Sequence, residues 1–120
     1  MSDESGTHGP SEALALRRVE AAARVARLNG ELGAVRHARS ENSDDDEHDP
    51  EGATMSQLWS QSSGLLEAAL RELDELEAAL GRVASGDYGV CCSCGRPIDP
   101  ARLDARPAAA LCIDCARLAR

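Results

Sequence analysis

Five cysteines stand close together between positions 91 and 115 of this 120-residue chain. Four of them form two pairs, Cys91-x2-Cys94 and, after 17 intervening residues, Cys112-x2-Cys115. A two-residue gap lets both sulfurs of one pair reach the same ion, and zinc takes four thiolates in a tetrahedron at about 2.3 Å. Two such pairs at this separation read as a zinc site. Gly95, directly after Cys94, suits the tight turn that brings backbone N–H groups toward the sulfurs. Cys92 is the fifth cysteine. Pairing it with Cys94 would leave one intervening residue, a poorer bite, so it reads as a non-ligand. Four protein ligands leave no open coordination position, so the expected ion is one structural Zn²⁺ and not a catalytic one. A redox pair of the thioredoxin kind needs a βαβ setting, and no such pattern precedes these cysteines. The chain also lacks a nucleophile–base set and reads as a non-enzyme.

The segments before the cysteines must position this site. Residues 1–10 read as a disordered leader, polar and punctuated by Gly6, Gly9 and Pro10. Ser11 is the expected N-cap of a first helix, its hydroxyl accepting a backbone N–H. Apolar residues then follow at Leu14, Ala21, Val25, Leu28, Leu32 and Val35, the last five at the 4-3 spacing of a coiled-coil seam. Arg18 interrupts this seam, and Gly30 and Gly33 each cost about 1 kcal/mol relative to Ala in a helix interior. A second seam runs Met55, Trp59, Ser62, Leu66, Ala69, Leu73, Leu76, Leu80, Val83. Its helix starts either at Asp49, with Pro50 in the first turn, or at Thr54, which opens a T-x-x-Q capping box with Gln57. Ser85-Gly86-Asp87-Tyr88-Gly89 is a turn cluster that stops it. The fold class expected is all-α, an antiparallel coiled-coil helical hairpin over 11–87 with a C-terminal four-Cys zinc finger and short C-terminal helix over 88–120. Each long helix would be roughly 45 Å long. Isolated two-helix hairpins bury little area, and the metal-bound segment would clamp the open end. Trp59 reads as packing on the seam.

Charge sharpens this picture. The formal net charge is −8, with 13 basic residues, all Arg, against 21 acids, and aromatic residues make up only 2% of the chain. A thick aromatic core is excluded, and so is DNA binding through a generally basic surface. Residues 41–51 carry seven acids and no Arg, a net −7, while residues 11–40 and 91–120 are mildly basic at +3 and +2. The acidic run therefore marks the turn between the helices, an acidic tip over 41–53. Glu67, Glu72, Asp74, Glu75 and Glu77 oppose Arg17, Arg24 and Arg27 in an antiparallel arrangement that pairs residues near 14–28 with residues near 66–83. No apolar run is long enough to cross a membrane, and the polar, acidic start is unlike a signal peptide. With clustered reduced thiols, this gives a cytoplasmic expectation. His8, His37 and His48 have no companion at ligand spacing and read as solvated. Arg96, Arg102 and Arg106 read as offsetting thiolate charge or facing solvent.

The order Tyr88-Gly89-Val90-Cys91, Cys94-Gly95-Arg96-Pro97-Ile98, Arg102-Leu103, Ala105-Arg106-Pro107 and Leu111-Cys112-Ile113-x-Cys115 is far more specific than two cysteine pairs. It resembles the zinc finger of the DksA/TraR family, and the hairpin before it is similar in placement and length to that family's coiled coil. The resemblance implies a regulator of transcription that binds RNA polymerase and not specific DNA sequences, with the hairpin entering the secondary channel and acidic tip residues approaching the active site. The family's tip pattern, D-x-x-D-x-A, carries over to Asp46 and Asp49. It departs at Pro50-Glu51, and Ala53 lies two residues farther, so Glu51 and Ala53 both stand open as the counterpart of the last position. Longer members use basic residues beyond the finger in ppGpp sensitivity. Arg117 and Arg120 are the tail candidates here, and ppGpp as a partner stays open. The competing reading of the same residues is a zinc-finger adaptor or self-associating coiled coil with another partner.

Overall fold

The computed structural model describes residues 9–42 and 50–119. Four helices follow one another: α1 (Pro10–Asn42), α2 (Pro50–Ser85), α3 (Pro100–Ala105) and α4 (Ile113–Leu118). Among the described residues there is no strand, only an isolated antiparallel bridge between Val90 and Pro97. The expected fold class holds: an all-α chain in which a long antiparallel helix pair precedes a four-cysteine finger. The leader residues 1–8, the tip residues 43–49, which include His48 and both Asp46 and Asp49, and Arg120 lie outside the described residues.

Both long helices begin on proline. α1 starts two residues earlier than the Ser11 cap would place it. The carbonyl of Gly9 accepts from Glu12 N at 3.1 Å and from Ala13 N at 3.3 Å, so Gly9 occupies the cap position and Pro10 the first helical one. Proline's fixed φ favours that position, and its missing N–H costs nothing there. α2 starts at Pro50, four residues ahead of Thr54, for the same reason. α2 ends in a Schellman motif. Asp87 N donates to Arg82 O at 2.8 Å and Gly86 N to Val83 O at 3.2 Å. Gly86 takes φ +86°, a left-handed conformation that glycine adopts without a Cβ penalty.

The chain divides into two compact units, Met1–Val19 with Leu73–Arg120 and Glu20–Glu72. In the first, Leu14, Leu76, Ala79, Cys91 and Ile98 are buried, and Arg18 pairs with Glu77 at 3.1 Å. In the second, Ala21, Leu28, Leu32 and Ala69 are buried, Arg24 pairs with Glu72 at 2.8 Å, and the Arg36 guanidinium lies 5.4 Å from the centre of the Trp59 ring. Within the second unit the number rises from 24 to 36 on α1 as its partner falls from 72 to 59 on α2, the signature of antiparallel packing. Among the described residues, every buried one of α1 is on the predicted seam, whose Val25 and Val35 are half-buried. Arg24–Glu72 is one of the anticipated cross-helix attractions. Arg18, the residue that interrupts the seam, stays half-exposed and turns to Glu77 instead. Exposed pairs of this kind contribute about 0–1 kcal/mol, so the apolar seam supplies most of the stability.

Leu76 is 2% exposed. Leu76→Ala should lower the unfolding free energy by about 2–4 kcal/mol, from lost burial and an unfilled cavity. Gly64 lies in α2 with open space where a Cβ would project. Gly64→Ala should raise the unfolding free energy by about 0.5–1 kcal/mol through reduced backbone freedom in the unfolded chain. Urea unfolding followed by far-ultraviolet circular dichroism checks both, and the opposite signs are the point of the comparison.

Candidate metal centre

The first cysteine pair sits on a tight turn built by backbone hydrogen bonds. Cys91 N donates to Arg96 O at 2.8 Å, Gly95 N to Cys91 O at 3.0 Å and Ile98 N to Gly89 O at 2.7 Å. Gly95 takes φ +78°, so the glycine expected to suit the turn occupies the left-handed region where a side chain would be strained. The turn aims Cys94 N at Cys91 Sγ, 3.5 Å away. The second pair is placed by a helix start. Cys112 is the N-cap of α4 and Cys115 lies in its first turn. Cys92 N donates to Ala110 O at 2.8 Å, which ties the first turn to the chain just ahead of Cys112.

These elements bring four thiols together. The sulfurs of Cys91, Cys94, Cys112 and Cys115 all lie within 4.8 Å of one another, and Cys94 Sγ is 3.8 Å from Cys112 Sγ. Cys92 stands outside this group and is exposed. The donor set fits a single soft divalent ion, since zinc is held by four thiolates in structural sites. With all four positions supplied by protein, such an ion would fix the fold and leave no place for a substrate.

The electrostatics of the group are uneven. Backbone N–H groups, that of Cys94 first and that of Cys112 next, hold the Cys91 thiol down at about 6 against the upward push of burial. The Arg96 guanidinium donates from Nε to Cys94 Sγ at 3.4 Å. This contact, with the Arg96 backbone N–H behind it, draws the Cys94 thiol below its ordinary range. Cys115 is pushed up to about 12, chiefly by its hydrogen bond with Cys112. The thiols of the first pair are thus drawn toward ionisation while that of Cys115 is held back from it. The expectation that Arg96 offsets thiolate charge is met by this contact. Arg102 takes another course, its Nε donating to Leu111 O at 2.9 Å.

The finger is also tied to the end of α2, through hydrogen bonds that pattern reading did not anticipate. Arg82 donates to the carbonyls of Ala108 and Ala109 at 3.3 and 3.5 Å. Tyr88 OH donates to Pro107 O at 2.8 Å, and burial raises its pKa, which keeps the phenol a donor. α3 was also missed, although Asp99-Pro100 is a start signal: the Asp99 carboxylate accepts from Ala101 N at 2.9 Å and Pro100 opens the helix.

Three outcomes test the centre. Cys91→Ser should abolish stoichiometric zinc, while Cys92→Ser should keep one zinc per chain, as read by metal analysis of the purified proteins. Zinc removal by a chelator should loosen the finger together with the end of α2, because metal binding is folding free energy in small domains. Helicity and protease resistance that survive complete removal would contradict the clamp. Since binding must displace the Cys115 proton, apparent zinc affinity should rise with pH and fall in acid. Competition with a chromophoric chelator at pH 6 and pH 8 measures this, and equal affinities would contradict it.

Comparison with known proteins places this arrangement. Residues 86–119 match the family described as the prokaryotic dksA/traR C4-type zinc finger. A segment of 47 residues is 47% identical to the RNA polymerase-binding transcription factor DksA of Haemophilus influenzae, covering 39% of this chain and 32% of that one. The corresponding match to DksA of Escherichia coli K12 is 49% identical over 47 residues, covering 39% and 31%. The matched segment thus spans about a third of the length of these curated relatives. The structure of transcription factor DksA2 from Pseudomonas aeruginosa is similar more broadly, with a TM-score of 0.73 and 31% identity over 90% of this chain and 78% of that chain. A likeness of that identity and extent reaches well beyond the finger, and the chain belongs to the DksA/TraR family.

Proposed function

We propose that this protein is a non-enzymatic regulator of transcription that binds RNA polymerase. One zinc ion, ligated by Cys91, Cys94, Cys112 and Cys115, holds the finger as its structural base. The hairpin is the effector arm, entering the polymerase secondary channel, and the protein makes no sequence-specific contact with DNA. The observation that carries this reading is the likeness to DksA2, which takes in most of that transcription factor and not the finger alone. The similarity of the finger segment to proteins named for RNA polymerase binding supports it. Its cellular place is then the cytoplasm. No helix among the described residues is long and apolar enough to cross a membrane.

The working end in this reading is the segment that joins α1 to α2. Asp46 and Asp49 face the polymerase active site there, with Glu51 or Ala53 after them. The support is chemical. Residues 41–51 hold seven acids without an Arg or Lys, and carboxylates close to a Mg²⁺-bearing centre act on the largest local charge in it. An acidic tip also suits entry through a positively charged rim. Whether ppGpp takes part is a separate question, for which exposed Arg117 on α4 is the described candidate contact.

Two experiments test the proposal. Immobilised protein should recover core polymerase subunits from a lysate of its host. Failure to do so, together with a dimer in sedimentation, would favour the adaptor or self-associating coiled coil. In transcription with purified polymerase, the double variant Asp46→Asn with Asp49→Asn should lose most of the effect of the parent while still binding the enzyme. An unchanged effect would sink the tip mechanism. Running the same assay with and without ppGpp, and with Arg117→Ala, decides the remaining question.

A further inference from the structure

The four clustered cysteines are covered to different extents. Cys91 is 2% exposed, Cys112 and Cys115 are half-buried, and Cys94 is exposed. The exposed cysteine, Cys94, receives a guanidinium donor, Arg96 Nε at 3.4 Å, whereas the half-buried Cys115 has the Ser93 side chain as a neutral hydrogen-bond partner. The position of Arg96 is fixed on both sides. Its carbonyl accepts from Cys91 N at 2.8 Å, and Pro97 follows it, restricting its backbone to extended conformations. Four thiolates around one Zn²⁺ carry a net charge of −2, so a fixed cation against the sulfur of the most exposed ligand residue has a large local effect. Hydrogen bonds to metal-bound sulfur withdraw electron density from it and tune its chemistry.

We infer that Arg96 shields the zinc-bound sulfur of Cys94 from electrophiles, and so sets how fast the finger loses its metal under chemical attack. The inference rests on the zinc assignment and not on the polymerase reading. The step it slows is simple. A lone pair on Cys94 Sγ forms a bond to an electrophilic carbon and the Zn–S bond breaks. With a maleimide, the enolate so formed takes its proton from water. The ion, left with three ligands, passes to any competing chelator. Arg96 opposes the first event by lowering the electron density on sulfur and by standing against it at 3.4 Å. Loss of the side chain leaves the Arg96 backbone N–H in place, so the turn itself is not what a substitution removes.

The test uses the full, zinc-loaded chain carrying Cys92→Ser, so that the exposed extra thiol does not consume reagent. N-ethylmaleimide is added in excess, zinc release to a chromophoric chelator is timed, and the first alkylated cysteine is mapped by mass spectrometry. Arg96→Gln should release zinc about fivefold faster than the parent, the rate equivalent of one net hydrogen bond, with the first label on Cys94. Arg96→Lys, which keeps charge and a donor, should recover part of the protection. Arg96→Met serves if the Gln variant purifies without a full complement of zinc. Three results would overturn the inference: a rate equal to the parent, a first label on Cys112 or Cys115, or equally accelerated loss to the chelator without maleimide. The last would make Arg96 a prop for the site and not a shield. A parent that holds no zinc would overturn the metal assignment and the shield with it.

Discussion

Four sulfurs cannot carry negative charge within a few ångströms of one another unless a cation lies among them. That constraint governs the C-terminal part of this chain. The segment from Tyr88 to Ala119 buries only Cys91 and Ile98, far too little apolar surface to order its turns. Its two helices have six residues each, well short of the length at which an isolated helix is stable in water. The geometry that does exist there is organised around the sulfurs: the left-handed Gly95, the N–H aimed at Cys91, the cap position of Cys112. Metal binding supplies what hydrophobic burial does not. The loop at 107–111 is then held where its carbonyls meet Arg82, Tyr88 and Arg102, and the end of α2 acquires a fixed partner.

The helix pair solves a different problem with few means. The chain has one Trp, one Tyr and no Phe, so its core is made of leucine and alanine. Alanine at Ala21, Ala69 and Ala79 is buried to 3% exposure or less, which lets the backbones approach and keeps the seam narrow. Leucines at 14, 28, 32 and 76 provide the burial. The charged flanks add orientation more than energy: Arg18 and Arg24 each meet an acid on α2, and reversing the direction of one helix would set those arginines elsewhere. A seam of this sort is well specified in register and modest in total stability.

How much of this was legible in the sequence depended on whether the signal was periodic. The seams were, and they contain every described buried residue of the two long helices except Ala79, because side chains three and four apart share one face of a helix. Ala79 escaped because it flanks the 4-3 row and is covered only by a wider stripe. The cysteine spacing was legible for a related reason: a chelating turn has one practical length. Helix starts were less so. Ser11 has a better capping side chain than Gly9, yet the fixed φ of Pro10 decided the matter. The partners of Arg82 and Tyr88 could not be read, since they are backbone carbonyls 19 to 27 residues away, and every residue has one. Arg96 was legible as a charge near thiolates but not as the partner of Cys94 in particular. For Asp46 and Asp49 the sequence remains the source.

The Schellman turn at the end of α2 has a consequence for how such a chain can vary. Only Gly86 and Asp87 separate the helix from Tyr88, so there is no slack between the α2 seam and the finger. Arg82, which grips the 108–109 carbonyls, and Leu76, which fills the seam, are locked in angular phase by the helix between them. Each inserted residue turns one against the other by about 100°. Seven residues return them nearly to register, short by about 20°. Insertions and deletions in this stretch of α2 are therefore confined to whole heptads, matched by equal changes in α1, while the loop between the cysteine pairs faces no such quantum. Length in this molecule is a discrete variable on the arm and a continuous one at the base.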